Sequence, residues 1–159
     1  MARKAEQPAK NSPRVQNRKA RHEYHILEVL ECGIELLGTE VKSLRAGSAK
    51  IDDAFVRVRG GEAFLIGSNF AAYTHAAAAM QHDPTRDRRL LVHRRQIPAL
   101  EAHVRQKGHT LVPLAMYFSR GWAKVEIGLV VGKKQYDKRE SIRAREQKRD
   151  MDREMRRRR

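Results

Sequence analysis

One cysteine, one tryptophan and an aromatic share of 6% mark a chain of 159 residues that is short of several kinds of chemistry. The single Cys32 excludes an intrachain disulfide and any thiolate cluster for zinc. No nucleophile signature surrounds it, so it reads as a small, half-buried strand residue. No run approaches the ~18 apolar residues that a membrane span needs. The opening "MARKAEQPAKNSPRVQNRKARHEY" has charge but no apolar centre, so it does not read as a signal peptide. A reducing, cytoplasmic setting with no membrane partner is the expectation.

Catalytic signatures are absent too. Neither G-x-S-x-G nor H-E-x-x-H occurs. The stretch "GLVVGKK", from Gly128 to Lys134, has the wrong glycine spacing for a phosphate loop and no Ser or Thr after the lysines. His22 and His25 lie three apart, which on a strand sends them to opposite faces. Asp52 and Asp53 read as a turn, since neighbours there diverge. The expectation is a protein that is not an enzyme and takes no cofactor and no metal.

Acid is the scarcer charge. There are 34 Lys and Arg against 19 Asp and Glu, giving a net charge of +15 and a pI near 10.6. Such an excess favours polyanions, nucleic acid first and an anionic membrane surface second. The cations are clustered. "NRKARH" groups Asn17, Arg18, Lys19, Arg21 and His22, and "TRDRRLLVHRR" groups Arg86, Arg88, Arg89, Arg94 and Arg95 with only Asp87 interrupting. Arginine forks match phosphate and stack on bases, so both clusters are candidate RNA contacts.

Composition divides the chain into a basic flexible arm over 1–20, a folded part over 21–131 and a charged tail over 132–159. Alternation over "HEYHILEVLECGIEL" predicts a strand with burial on both faces, and Gly33 a turn or bulge. Thr39 is the expected N-cap of a short helix that Gly47 stops. "AFVRVRGGEAFLIGS" predicts a hairpin turning at Gly60-Gly61, with "NFAAYT" continuing the sheet. The stretch from Ala76 to Arg89 reads as a loop around Asp83-Pro84. Leu90, Leu91, Ile97, Leu100 and Val104 fit one helical stripe, with Pro98 in the first turn of a helix starting near Gln96 and Gly108 as C-cap. Two strands about "SRGW" follow, with Pro113 at an edge or bulge. The fold class expected is mainly β, an OB-like antiparallel barrel, partly open, with flanking short helices and a basic C-terminal tail.

Six blocks in order, "NRKARHEY", "GTEVKSLRAGSA", "GEAFLIG", "HDPTRDRRLL", "KVEIGL" and "GKKQYDKRE", resemble the SsrA-binding protein (small protein B) family over nearly the whole chain. The resemblance implies an oligonucleotide-binding-type barrel that binds transfer-messenger RNA (tmRNA, SsrA RNA) and acts in trans-translation on stalled ribosomes. It implies RNA-binding roles for Glu31, Leu91 and Lys124, and a matching tail motif at Asp137, Lys138 and Arg139. Lys124 suits phosphate, Leu91 packs under a base or sugar, and Glu31 accepts from a base or positions a cation. Tyr136 stands where some members have His, and a phenol cannot become cationic near neutral pH. The implied partners are tmRNA, the small-subunit decoding centre and mRNA channel of a stalled ribosome, and a complex with elongation factor Tu. Two other classes stay open on the residues alone: a ribosome-associated barrel protein or translation factor, and an RNA-processing enzyme.

As a helix, residues 133–159 would be charged all round, with Tyr136, Ile142, Met151 and Met155 as the larger apolar groups. No stripe can dock on a barrel. The expectation is a tail disordered when free and helical in an RNA-lined channel, presenting Lys133, Lys134, Tyr136, Asp137, Lys138, Arg139, Arg143, Arg145, Lys148 and Arg149 to it.

Overall fold

A computed structural model describes residues 13–76 and 81–157. In chain order it places β1 (Val15–Gln16), α1 (Arg18–Glu23), β2 (Tyr24–Ile34), α2 (Gly38–Arg45), β3 (Ala49–Lys50), β4 (Phe55–Arg59) and β5 (Glu62–Ile66). Then come β6 (Asn69–Phe70), β7 (Arg88–Leu91), α3 (Ile97–Arg105), β8 (His109–Ser119), β9 (Trp122–Gly132) and α4 (Gln135–Arg157). One sheet runs β1-β8-β9-β2-β7-β5-β4, antiparallel throughout, and β3 pairs with β6 in a small ribbon. β4 curls round beside β8 without a ladder between them, so the barrel stays open along that seam. The mainly β, OB-like expectation holds in this incompletely closed form.

The hairpin turns at Gly60 and Gly61, both at positive φ (58° and 73°), as a two-residue turn matched to the strand twist requires. The register against β9 shifts between Pro113 and Ala115, so Pro113 borders a bulge at Leu114. β8 is buried from Leu111 to Phe118 because both its faces are covered. Leu111, Met116 and Phe118 join the barrel core, while Val112 and Leu114 pack with Ala20 in a second, smaller core.

Several expectations change. The arm does not extend to residue 20: β1 adds to β8, and buried Asn17 caps α1 by accepting from the Ala20 N–H at 2.8 Å. Its amide also donates to the Ile51 and Pro113 carbonyls, both at 3.1 Å, so residues 13–20 are an integral edge of the fold. Residues 1–12 lie outside the described residues. Gly33 is neither turn nor bulge but a paired position within β2; the bulge falls between Ile26 and Glu28. Leu90 and Leu91 are on strand β7, not on a helix, and α3 begins at Ile97 with Pro98 in its first turn. Its C-cap is Gln106, and Gly108 turns the chain beyond it. Asn69 and Phe70 pair with β3 rather than extending the main sheet. His22 is helical, in α1.

The N-cap of α2 is Leu37, not Thr39. Glu40 reaches back to accept from the Leu37 N–H at 2.7 Å, and Thr39 instead pairs its hydroxyl with His82 Nδ1 at 2.8 Å. Glu40 is wholly buried and so is Arg88, whose Nε donates to Glu40 Oε1 at 2.9 Å. Arg86 donates to the same oxygen from Nε at 2.8 Å. Arg88 also donates to Ser68 Oγ at 3.0 Å and the Pro84 carbonyl at 3.0 Å, and its guanidinium lies 4.0 Å over the Phe70 ring. Every donor of a buried cation is thereby engaged, the condition on which such a pair persists.

Removing one partner should be severe. Glu40→Ala strands Arg88 in the core and is expected to lower stability by about 3–5 kcal/mol, read by urea unfolding at pH 7. Burial pushes the Glu40 carboxyl up, but hydrogen bonds from Arg86 and Leu37 and the two guanidinium charges outweigh it and hold it below its ordinary value of 4.5. A carboxyl lowered on folding contributes stability above its unfolded value and loses it as pH falls through the folded value. Glu40→Gln should therefore lose less stability than the parent below about pH 4.5. Equal acid sensitivity of the two would contradict this.

Candidate nucleic-acid interface

The alternation of strands sorts the predicted residues. In β2, Cys32 and Ile34 point into the core, so Glu31 and Gly33 point out. Across the ladder Glu31 faces Glu126, and Gly33 faces Lys124 on β9 and Leu91 on β7. Opposed residues share a face, so Glu31, Leu91 and Lys124 stand together on the outside of the barrel. Gly33 makes that grouping possible: a Cβ there would meet Leu91 Cβ at 3.2 Å. Leu91 is 53% exposed.

The polar groups are linked. Lys124 Nζ lies 3.7 Å from Glu31 Oε1, and the Tyr117 hydroxyl donates to the other Glu31 oxygen. Burial and that hydrogen bond push the Tyr117 phenol upward. Arg14 Nη2 donates to both Glu126 oxygens at 2.8 Å and holds its guanidinium 4.9 Å over the Tyr117 ring. Beside this network opens a groove of about 680 Å³ lined by Gly33, Leu36, Leu91, Phe118, Trp122 and Lys124. Trp122 is 74% exposed at the end of the β8–β9 hairpin. Sequence reasoning missed Trp122, although its signal was available: it is the only tryptophan and follows a turn. A half-apolar groove with one flat exposed ring and one cation suits a base and its phosphate.

The basic clusters separate. Of "TRDRR", Arg88 is buried and is corrected from RNA contact to core residue. Arg86 is committed to Glu40, and Arg89 bridges Glu35 and Glu62, both at 2.8 Å. "NRKARH" lies at the other end of β2. Asn17 is buried and its side chain is spent within the fold, so it is corrected likewise. Arg18, Lys19 and Arg21 are exposed and His22 half-buried, with Lys19 on Asp53 at 2.7 Å. From Glu31 to Tyr24, which pairs with Gly132, is seven residues, roughly 23 Å of strand. The mixed site is thus remote from the tail.

The tail root is tied to α1: Lys133 N–H donates to the Glu23 carbonyl at 2.9 Å and its Nζ to the Arg21 carbonyl at 3.1 Å. Lys134 is exposed beside it. α4 then runs for 23 residues, about 35 Å. Arg143, Arg145, Lys148 and Arg149 are exposed along it, as are Ile142, Met151 and Met155. The side chains of Tyr136, Asp137, Lys138 and Arg139 lie outside what the structure describes; their backbone forms the first turns of α4. Cys32 is buried in β2, and burial pushes its thiol up to about 12, in keeping with an inert strand residue. No helix among the described residues is long and apolar enough to cross a membrane.

Comparison with known proteins agrees with the resemblance read from the six blocks. The SmpB protein family matches residues 14–157. The SsrA-binding protein of Acaryochloris marina is 52% identical over 141 residues, covering 89% of this chain and 92% of that protein. The SsrA-binding protein of Thermobifida fusca is 50% identical over 161 residues, spanning 100% of both. A chain of the solved structure described as "tmRNA-SmpB: a journey to the center of the bacterial ribosome" is similar with a TM-score of 0.66 at 46% identity, over 83% of this chain and 96% of that one.

The geometry at Gly33 is directly testable. Gly33→Val pushes a branched side chain into Leu91 and should cost about 1–3 kcal/mol in urea unfolding. Adding Leu91→Ala to it should recover part of that loss, because the obstructing side chain is gone. Strict additivity of the two would contradict the contact.

Proposed function

Because the chain belongs to the SmpB protein family, we propose that it binds tmRNA and brings it to stalled ribosomes in trans-translation. The observation that supports this most is the outward grouping of Glu31, Leu91, Lys124 and Trp122 on a rigid barrel face. Lys124 meets a phosphate, while Leu91 and Trp122 take the flat face of a base or a ribose. Glu31, oriented by Tyr117, accepts from a base edge or holds Lys124 in place. The role is that of a binding protein in the cytoplasm, where ribosomes work.

The tail has a different task. A long helix with cations on exposed positions and exposed Ile142, Met151 and Met155 has no apolar stripe to dock. Phosphates lining an RNA channel would relieve its self-repulsion and order it there, with or without order in the free protein. The tail enters the empty mRNA channel of a stalled ribosome and reports that no message fills it. Tyr136, Asp137, Lys138 and Arg139, at its start, lie nearest the decoding centre in this arrangement.

Two experiments separate the parts. Lys124→Ala should weaken tmRNA binding and reduce the salt slope of log K by roughly 0.7–0.9, measured by titration at several salt concentrations. Normal binding at every salt concentration would remove Lys124 from the site. Truncation after Gly132 should leave the barrel folded and tmRNA affinity nearly unchanged, yet abolish tagging of a nascent peptide on a ribosome stalled without a stop codon. Full tagging by the truncated protein would refute the channel role, and a loss of tagging matched by lost tmRNA affinity would make the tail part of the tmRNA site.

A further inference from the structure

The groove beside Trp122 does not end at Leu91. Leu91 also lines a second groove of about 900 Å³, between the Gly60-Gly61 turn and the segment holding Arg94 and Ile97. Gly60 and Glu101 of that groove line a third, of about 500 Å³, which follows the open seam of the barrel past Phe55, Arg57, Val104 and Thr110. Thr110 pairs with Val130, two residues before Gly132. The three depressions therefore form one path from the Lys124 end of the barrel, round the β4–β5 turn, to the end where the tail begins.

Charge along this path is uneven in an informative way. Its acids are matched: Glu35 and Glu62 hold Arg89, and Glu101 lies 3.9 Å from Arg105. Arg57 and Arg94 make no ion pair among the described residues. Arg57 is instead 5.6 Å over the ring of Phe55, which is partly exposed. Directly across the hairpin from Arg57 is Phe64, whose ring carries Arg59 at 4.3 Å, with Arg59 anchored on Asp87 at 3.2 Å. Rings and guanidinium planes thus alternate along β4 and β5, with Arg57 as the cation there that has no ion pair among the described residues. Flat groups that accept stacking, interleaved with uncommitted cations, match a polymer of bases and phosphates.

We propose that this path is a track for single-stranded RNA, continuous with the tmRNA site and leading from it to the root of the tail. Bases stack at Phe55 and the Arg59–Phe64 pair, and phosphates meet Arg57 and Arg94. The path is continuous with the Leu91 site and its spare charge is positive, so an RNA strand fits it better than an acidic peptide, which would use the cations and leave the rings idle. The inference rests on the RNA-binding reading above and extends it to a second ligand form, an unstructured strand.

The probe is an unstructured RNA of about ten nucleotides, within the span that such tracks cover. Its binding to the full chain is followed by fluorescence anisotropy, beside binding of tmRNA itself. Phe55→Leu keeps an apolar group but no ring, and should weaken the short RNA about 5- to 30-fold. Arg57→Gln should lower its salt slope by about 0.7. Both variants should retain most tmRNA affinity, and unchanged unfolding midpoints establish that they are folded. Failure of the parent protein to bind the short RNA overturns the track, as does equal binding by parent and variants. Displacement of the RNA by polyglutamate, together with indifference to Phe55→Leu, also overturns it, leaving a merely electrostatic patch. Failure of the parent to bind tmRNA would instead overturn the function proposed above.

Discussion

The buried pair of Arg88 and Glu40 sets the register on which the binding face depends. Strand β7 is four residues long and alternates in, out, in, out from Arg88 to Leu91. Arg88 turns inward because Glu40, Ser68 and the carbonyls of residues 84 and 86 take up its donors. Leu90 then fills the core, and Leu91 is left outside. A slip by one residue would bury Leu91, expose Leu90 and throw an unpaired guanidinium out of its socket. A hydrophobic side chain is thus held on the surface by a charged one in the interior.

The second constraint is geometric. β2 is shared, paired with β9 along nearly its whole length and with β7 only at Gly33 and Ile34. At that junction a residue without a side chain lets Leu91 approach from β7, opposite Lys124 on β9. The same strand, followed back to Tyr24, ends at Gly132 and the start of the tail. One strand therefore spans two separate features: the outward face at Glu31 and Gly33 at one end, and the mooring of a charged helix to α1 at the other. Lys133 fixes the second end through two backbone carbonyls, tying the root of α4 to α1.

Much of this was legible in the residues, and the exceptions share a cause. The hairpin at Gly60-Gly61, the bulge beside Pro113 and the strands about "SRGW" follow from local turn chemistry and alternation, which act over a few residues. Leu90 and Leu91 read as part of a helical stripe because a four-residue strand shows too little alternation to compete with a periodic pattern that continues into α3. Arg88 and Asn17 were placed on the surface because burial of a polar side chain depends on partners distant in sequence: Glu40 for the one, Ile51 and Pro113 for the other. Glu31 and Lys124 have no local signal. They were found through the family resemblance, and the ladder then explains why they meet. Trp122 escapes a reading by alternation because it stands at the first position of β9, directly after the turn.

If the outer face at Glu31, Leu91 and Lys124 carries the proposed recognition, the chain selects one RNA in the cell. The most direct measurement is sequencing of the RNA that copurifies with the tagged, full-length chain from bacterial cells, after a high-salt wash that strips nonspecific phosphate contacts. The account predicts one small RNA with a tRNA-like end, enriched far above ribosomal RNA. Ribosomal RNA alone, with no such species, would contradict it.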